Sequence, residues 1–461
     1  MKRRPRIVGM LIRSHWIPKL AVAVVCGTGL AGWAHGDERL DSLLDRFDRG
    51  SRSVTAFVDV NVVPMDSNRV LPHQTAIIRS GRIFAMGPTG EVVLPEGAER
   101  IDGRGKHLVP GLADMHFHLP PADAGVDSAS VDDVLVLLVA NGVTSVRSTL
   151  GDPSHLEIRD RIRTGKAFGP TLYLACPPLV SKTTPTPARA RELVYQYKSD
   201  GFDLIKSVLN DRAVYDSAIA AAREVGLPIF GHVGDAIGIE RALEVGQSIE
   251  HLDGYVRLVE KDQERLPGLV RATRRANVWN CPTQFFYECR YEHDLAKLSS
   301  YAGVSLVRQS VRDEWGRRKT EENAKYADKE TTNARELATR RRIIKALRDG
   351  GARLLVGSDS PGMFGVPGFA MAEEMRALHR AGMTPYEVLD SATRLPAEYL
   401  SPIREFGTVE VGKRADLILL NANPLRDIDA VFDQAGVMLR GAWLPRSVLD
   451  NAASRHAAAL P

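Results

Sequence analysis

Between Leu108 and Gly357 one pattern repeats eight times: a short apolar run that stops abruptly, then a longer polar-and-apolar stretch. The runs are Leu108–Met115, Val143–Arg147, Thr171–Cys176, Phe202–Lys206, Pro228–His232, Ser248–His251, Asn277–Cys281 and Arg353–Gly357. Runs this short and this apolar read as strands buried on both faces. The stretches between them, such as Val131–Asn141, Ala188–Asp200, Ala213–Val225 and Ile237–Val245, carry helical spacing. Strand-helix alternation places the chain in the α/β class, and eight units predict a (β/α)8 TIM-like barrel.

The flanks are too short to hold a core alone. Residues 54–107 alternate short apolar runs (Phe57–Val63, Ala76–Arg79, Arg82–Ala85, Glu91–Leu94) with turns such as Ser80-Gly81. Residues 404–450 do the same at Gly407-Thr408-Val409, Asp416–Leu420 and Gly436–Leu439. Joined, they predict a small composite β-sandwich beside a barrel of residues 108–403. Residues 37–53 are charged and read as helical. The seventh unit is the longest, with a polar stretch over about 290–350 that reads as solvated helices, a lid or a contact between copies.

Charge is unevenly placed. The 461 residues carry a formal net charge of +4, yet residues 1–36 hold six Lys or Arg and no acid. The remaining 55 basic residues face 57 acidic ones, a net of −2, so the body gives no electrostatic case for nucleic acid. Basic residues followed by the apolar run Leu20–Ala34 predict a signal peptide over 1–36, with export to the periplasm or outside the cell. No later segment is apolar for long enough to span a membrane. Past that segment Cys176, Cys281 and Cys289 remain, an odd number without CxxC spacing, read as buried thiols.

The chemistry lies where the apolar runs end. They stop at His116 and His118, at Lys206, at His232, at His251 and at Ser358-Asp359. Residues two apart in an extended chain share a side, so His116 and His118 can turn both imidazoles to one ion. Singly, each has an ordinary explanation: a hydrogen-bonded histidine, a lysine whose stem is buried, an aspartate capping a helix. Jointly, six polar residues ending five buried strands need a metal or hydrogen bonds to offset their burial. Imidazole with carboxylate favours zinc or a similar divalent ion. An ammonium has no lone pair to offer. Lys206 carbamylated by carbon dioxide would become a carboxylate able to bridge two ions.

The chain resembles the amidohydrolase superfamily, in its imidazolonepropionase-related and prolidase-like branch, over about residues 55–447. The matching elements are Val109–Asp114 before the His-x-His, Asp203–Lys206, Gly231-His232, Ser248–His251, Gly357–Asp359, and the tail from Gly407 to Leu417. The resemblance implies two divalent metal ions. His116, His118 and Asp359 would hold the more buried one, His232 and His251 the other, with the Lys206 carbamate between. A hydroxide would be the nucleophile, Asp359 would move its proton to the leaving amine, and the second metal would polarise the carbonyl.

It also implies a small-molecule substrate with a scissile amide, a dipeptide or an N-acyl amino acid. A cyclic amide or lactone is the second reading; a mononuclear deaminase and a non-catalytic binding protein rank lower. Relatives hold a substrate carboxylate with basic or tyrosine side chains, here Arg147, Lys182, Tyr255, Tyr287 and Arg290, with Phe285 and Phe286 as further pocket residues. One departure stands out. A Gly-Gly-His-type element of the prolidase-like group is replaced by Pro177–Thr184, which has no histidine. A homo-oligomer is compatible with this sequence.

Overall fold

The computed structural model describes residues 43–45, 47–48, 53–121, 131–325 and 329–460. The expected signal peptide lies outside these residues. Of the helix expected over 37–53, residues 43–45 and 47–48 are described and helical, with Leu43 and Phe47 buried.

Strands β1 (Thr55–Val62), β2 (Leu71–Arg79), β3 (Arg82–Pro88), β4 (Glu99–Asp102) and β5 (His107–Pro110) come first. Next are β6 (Leu112–Phe117), β7 (Val143–Ser148), β8 (Thr171–Leu174), β9 (Ile205–Ser207), β10 (Ile229–Gly231), β11 (Ser248–Glu250), β12 (Trp279–Cys281) and β13 (Arg353–Leu354). Strands β14 (Leu417–Leu420), β15 (Gln434–Leu439) and β16 (Ala442–Pro445) close the series.

The chain's two ends meet in one eight-stranded sheet of order β16-β15-β14-β5-β1-β2-β3, with β4 paired to β1. The joint is antiparallel, Leu417–Leu420 against His107–Pro110. Phe57, Val60, Val62, Ile78, Ile83, Leu108, Leu417, Leu419 and Met438 form its apolar cluster. Two expected strands are corrected: Glu91–Leu94 and Gly407–Val409 lie in turns and bends, and Glu99–Asp102 supplies the pairing strand instead.

The run Leu108–Met115, expected as one strand, is two strands of different sheets, divided at Pro110-Gly111. Gly111 allows the crossing: its amide donates to the Asp416 carbonyl, and a Cβ there would lie 2.2 Å from Thr144 Oγ1. The strands beyond are parallel and pair as β6-β7-β8 and β13-β12-β11-β10-β9. Isolated parallel bridges span both gaps, Ala175 to Leu204 and Leu179 to Ser207 at one, Phe117 to Ser360 at the other. Helices Val131–Ala140, Pro187–Asp200, Arg212–Val225 and Ile239–Glu244 follow their strands as the spacing predicts. The last turn of two is closed by Gly201 and Gly226 in the left-handed conformation.

The long seventh connection holds helices Leu295–Ser299, Gln309–Lys325 and Glu330–Asp349. They differ in kind. Gln309–Lys325 buries only Lys319, whereas Glu330–Asp349 packs Thr339, Arg340, Ile343, Ile344 and Leu347 inward. Among the described residues no helix is long and apolar enough to cross a membrane.

Candidate metal centre

The C-terminal ends of β6, β9, β10, β11 and the segment after β13 converge. His116 and His118 project from the end of β6 with their Nε2 atoms 3.3 Å apart. Asp359 Oδ1 lies 3.0 Å from His118 Nε2 and 3.5 Å from His116 Nε2, and Asp359 Oδ2 lies 3.6 Å from His251 Nδ1. The His116 and His251 rings are 4.6 Å apart, and those of His232 and His251 4.8 Å. The four histidines and Asp359 thus form one cluster.

Backbone geometry brings them this close. Met115 N–H donates to Val356 O, Asp359 N–H to His116 O, and His118 N–H to Ser360 O. A Cβ on Gly357 would lie 2.4 Å from Cys281 Sγ and 2.7 Å from His116 Cβ, so only glycine lets these segments touch. Asp114 ties them from below, accepting from the Ser358 amide and hydroxyl and from the His116 amide. Burial raises its carboxyl to about 6, against these hydrogen bonds. His251, Leu252, Thr283 and Asp359 all have positive φ (60°, 56°, 47° and 54°). Such backbone costs about 1–3 kcal/mol per residue and collects where a site over-determines it.

Three of the four histidines have a side-chain partner at Nδ1. His116 Nδ1 donates to Glu250 Oε2 at 2.6 Å, and His232 Nδ1 to Asp253 Oδ2 at 2.7 Å. His251 Nδ1 shares a 2.7 Å hydrogen bond with Thr283 Oγ1. For His116 this leaves Nε2, 3.3 Å from His118 Nε2 and 3.5 Å from Asp359 Oδ1, to face the cluster. Burial holds His116 and His251 well below the usual imidazole range, with Lys206 adding to the effect on His116 and His232 on His251. These rings are neutral, the form that binds metal.

Lys206 is 4% exposed, and its Nζ lies 5.3 Å from the Phe230 ring centroid. Among the described residues no hydrogen bond reaches Nζ, and burial lowers the amine from the ordinary lysine range, against Glu250 and Asp359. The Pro177–Thr184 stretch runs alongside: Leu179 N–H donates to Lys206 O, and Val208 N–H to Leu179 O.

Among the described residues two triads have donor spacing suited to an ion: His116, His118 and Asp359, and His116, Glu250 and Cys281. In the first, two imidazole nitrogens and a carboxylate oxygen face one another at 3.0–3.5 Å. In the second, Glu250 is already engaged by Arg147 Nη2, 2.8 Å from both its oxygens, and burial holds the Cys281 thiol well above its usual value. His116, His118 and Asp359 therefore fit a divalent cation.

The expected pocket residues divide. Arg147, expected to meet substrate, is fully enclosed. Its guanidinium donates to Glu250 and to Met115 O and lies 4.4 Å from the Phe230 ring. Burial pulls Arg147 down, but the charge and hydrogen bond of Glu250 together with Tyr399 and Cys281 leave the group raised. Tyr255 is also enclosed, its hydroxyl 2.6 Å from Thr273 Oγ1. Both are corrected to packing roles, because opposite charges and hydroxyls inside a core must find partners there. Phe285 packs on Tyr301. Phe286 and Tyr287 do face the cluster, with ring centroids 6.5 and 6.3 Å from His251. Lys182 is exposed and Arg290 half-buried.

Glu250, Asp253, Thr283 and Arg340 were not singled out by sequence reasoning. A signal existed for the first: Glu250 and Arg147 are opposite charges inside fully buried strands, and such charges must pair. For Arg340 there was none. It arrives from helix Glu330–Asp349 and donates to His251 O, Pro282 O and Gln284 Oε1.

The amidohydrolase family model matches residues 107–444. Imidazolonepropionase of Symbiobacterium thermophilum is 25% identical over 399 residues, spanning 77% of this chain and 86% of that protein. Bottromycin amidohydrolase superposes with a TM-score of 0.71 at 25% identity, covering 92% of this chain and 93% of its own. A Xaa-Pro dipeptidase with bound methionine superposes at 0.64 and 20% identity, covering 85% of this chain and all of its own, a likeness of fold. With a match across nearly three quarters of its length, the chain belongs to the amidohydrolase family and is a hydrolase acting on carbon–nitrogen bonds.

Proposed function

We propose that the protein is a binuclear metal-dependent hydrolase. Its substrate is an amide beside a free carboxylate, in a dipeptide or N-acyl amino acid. The observation that carries this reading is the convergence of the His116 and His118 Nε2 atoms on Asp359 Oδ1, with three of the four imidazoles held from behind. On this reading β6–β13 close as a (β/α)8 barrel of residues 108–403, and segments 54–107 and 404–450 build a β-sandwich beside it. Residues 1–36 act as a signal peptide for export.

His116, His118 and Asp359 would hold one divalent ion and His232 with His251 the other. Zinc is favoured by the imidazole and carboxylate donors. Such ions, when bound, polarise a carbonyl and lower the pKa of water to about 7. Lys206, as its carbamate, would supply an anion to the pair of ions; burial shifts its amine toward the uncharged form, the form that adds to carbon dioxide. Asp359 Oδ1 holds the proton taken from water and returns it to the leaving nitrogen. Phe286 and Tyr287 wall one side and exclude water. Lys182 or Arg290 takes the substrate carboxylate.

The alternative, a cyclic amide or lactone, draws support from the imidazolonepropionase similarity and from the absence of a histidine in Pro177–Thr184. Zinc- and manganese-loaded protein assayed on dipeptides, N-acyl amino acids, their amidated forms, cyclic amides and lactones separates the two. Faster turnover of free acids than of amidated forms is expected. Equal turnover overturns the carboxylate requirement, and turnover of cyclic substrates alone replaces the reading with the second.

A further inference from the structure

We propose that Glu250, clamped by Arg147, is the positioning residue that selects which nitrogen of His116 faces the site and thereby sets that site's affinity for a divalent cation. The inference rests on the metal-centre reading above. Glu250 ends β11 and Arg147 lies in β7; both side chains are fully enclosed. An ionised carboxylate accepts hydrogen bonds and donates none. Both Glu250 oxygens accept from Arg147 Nη2 at 2.8 Å, which marks the group as the acceptor, so His116 Nδ1, 2.6 Å from Oε2, carries the hydrogen. The Nε2 lone pair is then directed at the gap shared with His118 Nε2 and Asp359 Oδ1. With the other tautomer an N–H would point into that gap and block a cation.

The clamp fixes the carboxylate in turn. Arg147 Nη2 lies 2.8 Å from both Glu250 oxygens, so the carboxylate cannot rotate away from His116. Arg147 is itself held by the Met115 carbonyl, one residue before His116, and by the face of Phe230. Neighbouring strands support His232 and His251 differently, through Asp253 and Thr283 in the loops that follow β11 and β12. His116 alone is oriented by a charge pair within the strands. Well-packed apolar residues commonly replace a buried ion pair without loss of stability. A role in orienting His116 gives this pair a function that packing would not supply.

The test compares two double variants that both remove the charge pair. E250Q/R147M keeps a carbonyl oxygen to accept from His116 Nδ1; E250L/R147M keeps only bulk. Metal-depleted wild type and both variants are titrated with Co2+ against a chromogenic chelator, and thermal unfolding is recorded for each. Loss of a hydrogen-bonded partner behind a metal-binding histidine lowers affinity by roughly 10–100-fold. E250L/R147M should show that loss, and E250Q/R147M should bind within a few-fold of wild type, with matching unfolding temperatures for the two variants. Equal affinity in both variants overturns the positioning role. Wild type that binds no Co2+ overturns the metal-centre reading itself, a distinct result.

Discussion

Removing Arg340 should loosen the site from behind. Its guanidinium is 1% exposed and donates to three acceptors: His251 O at 2.9 Å, Pro282 O at 2.7 Å and Gln284 Oε1 at 3.3 Å. Its carbon Cζ stacks 3.4 Å from the Tyr287 ring centroid. One guanidinium thus joins the His251 backbone, the turn that bears Thr283 and the aromatic wall. In Arg340→Met the stem is kept and these acceptors lose their donors. Each buried acceptor left unpaired costs about 1–3 kcal/mol, and the lost stacking about 1–2 kcal/mol. Partial relaxation and water entry reduce the sum, leaving about 3–5 kcal/mol, the range for breaking one side of a buried charged network. Unfolding entropy of about 2.1 cal/mol/K per residue over about 400 described residues makes that roughly 4–6 °C in Tm. Scanning calorimetry at one scan rate measures it. Turnover should fall about 10-fold or more at saturating substrate, because His251 and Thr283 lose their common anchor. Arg340→Lys should fall between, since an ammonium cannot reach three acceptors in a fork. A Tm shift below about 1 °C with unchanged turnover would refute this account.

Three further outcomes follow, two from the structure and one from the sequence of residues 1–36. Lys206→Ala should lower bound metal and nearly abolish turnover while the fold persists; acetate or propionate should partly restore both, and Lys206→Arg should resist rescue. Metal content and rate measured side by side decide it. Glu374 is buried and accepts the Gln284 and Phe285 amides, and burial raises its carboxyl to about 8. Between the ordinary carboxyl value and about 8 the folded state holds a proton the unfolded state has lost, so stability falls as pH rises through that window. Glu374→Gln should flatten this part of the Tm–pH curve, and an unchanged slope would sink the assignment. Finally, N-terminal sequencing of protein secreted by its host should begin just after residue 34 or 36; a soluble fraction retaining Met1 refutes the signal peptide.

Much of the site was legible because its chemistry is tied to strand ends. A run such as Leu204-Ile205-Lys206 or Phe230-Gly231-His232 moves from apolar to polar within one residue; singly that has an ordinary explanation, but six such residues at the ends of five runs point to one site. The eight runs predicted the positions of β6–β13 to within a few residues for the same reason. Glu91–Leu94 and Gly407–Val409 misled because apolar residues in short edge segments also serve as turn anchors, and pattern alone does not separate the two. Leu108–Met115 misled because two strands of different sheets abut without a polar break; only Gly111 marks the joint.

What sequence by itself determined is local and periodic: where the strands from β7 to β13 lie, and that histidines, a lysine and an aspartate stand at or just past strand ends. What only the tertiary structure decided is which charges face which neighbours. Arg147 and Tyr255 carry the residue types of a substrate pocket, but Arg147 pairs with Glu250 on a strand 103 positions away, and Tyr255 with Thr273 on a packed helix. Arg340 reaches His251 across 89 positions from a helix whose charged composition marks it as solvated. A side chain's direction depends on the register of strands and the rotation of helices against them. Those are set by packing of the whole core, which no local window of sequence contains.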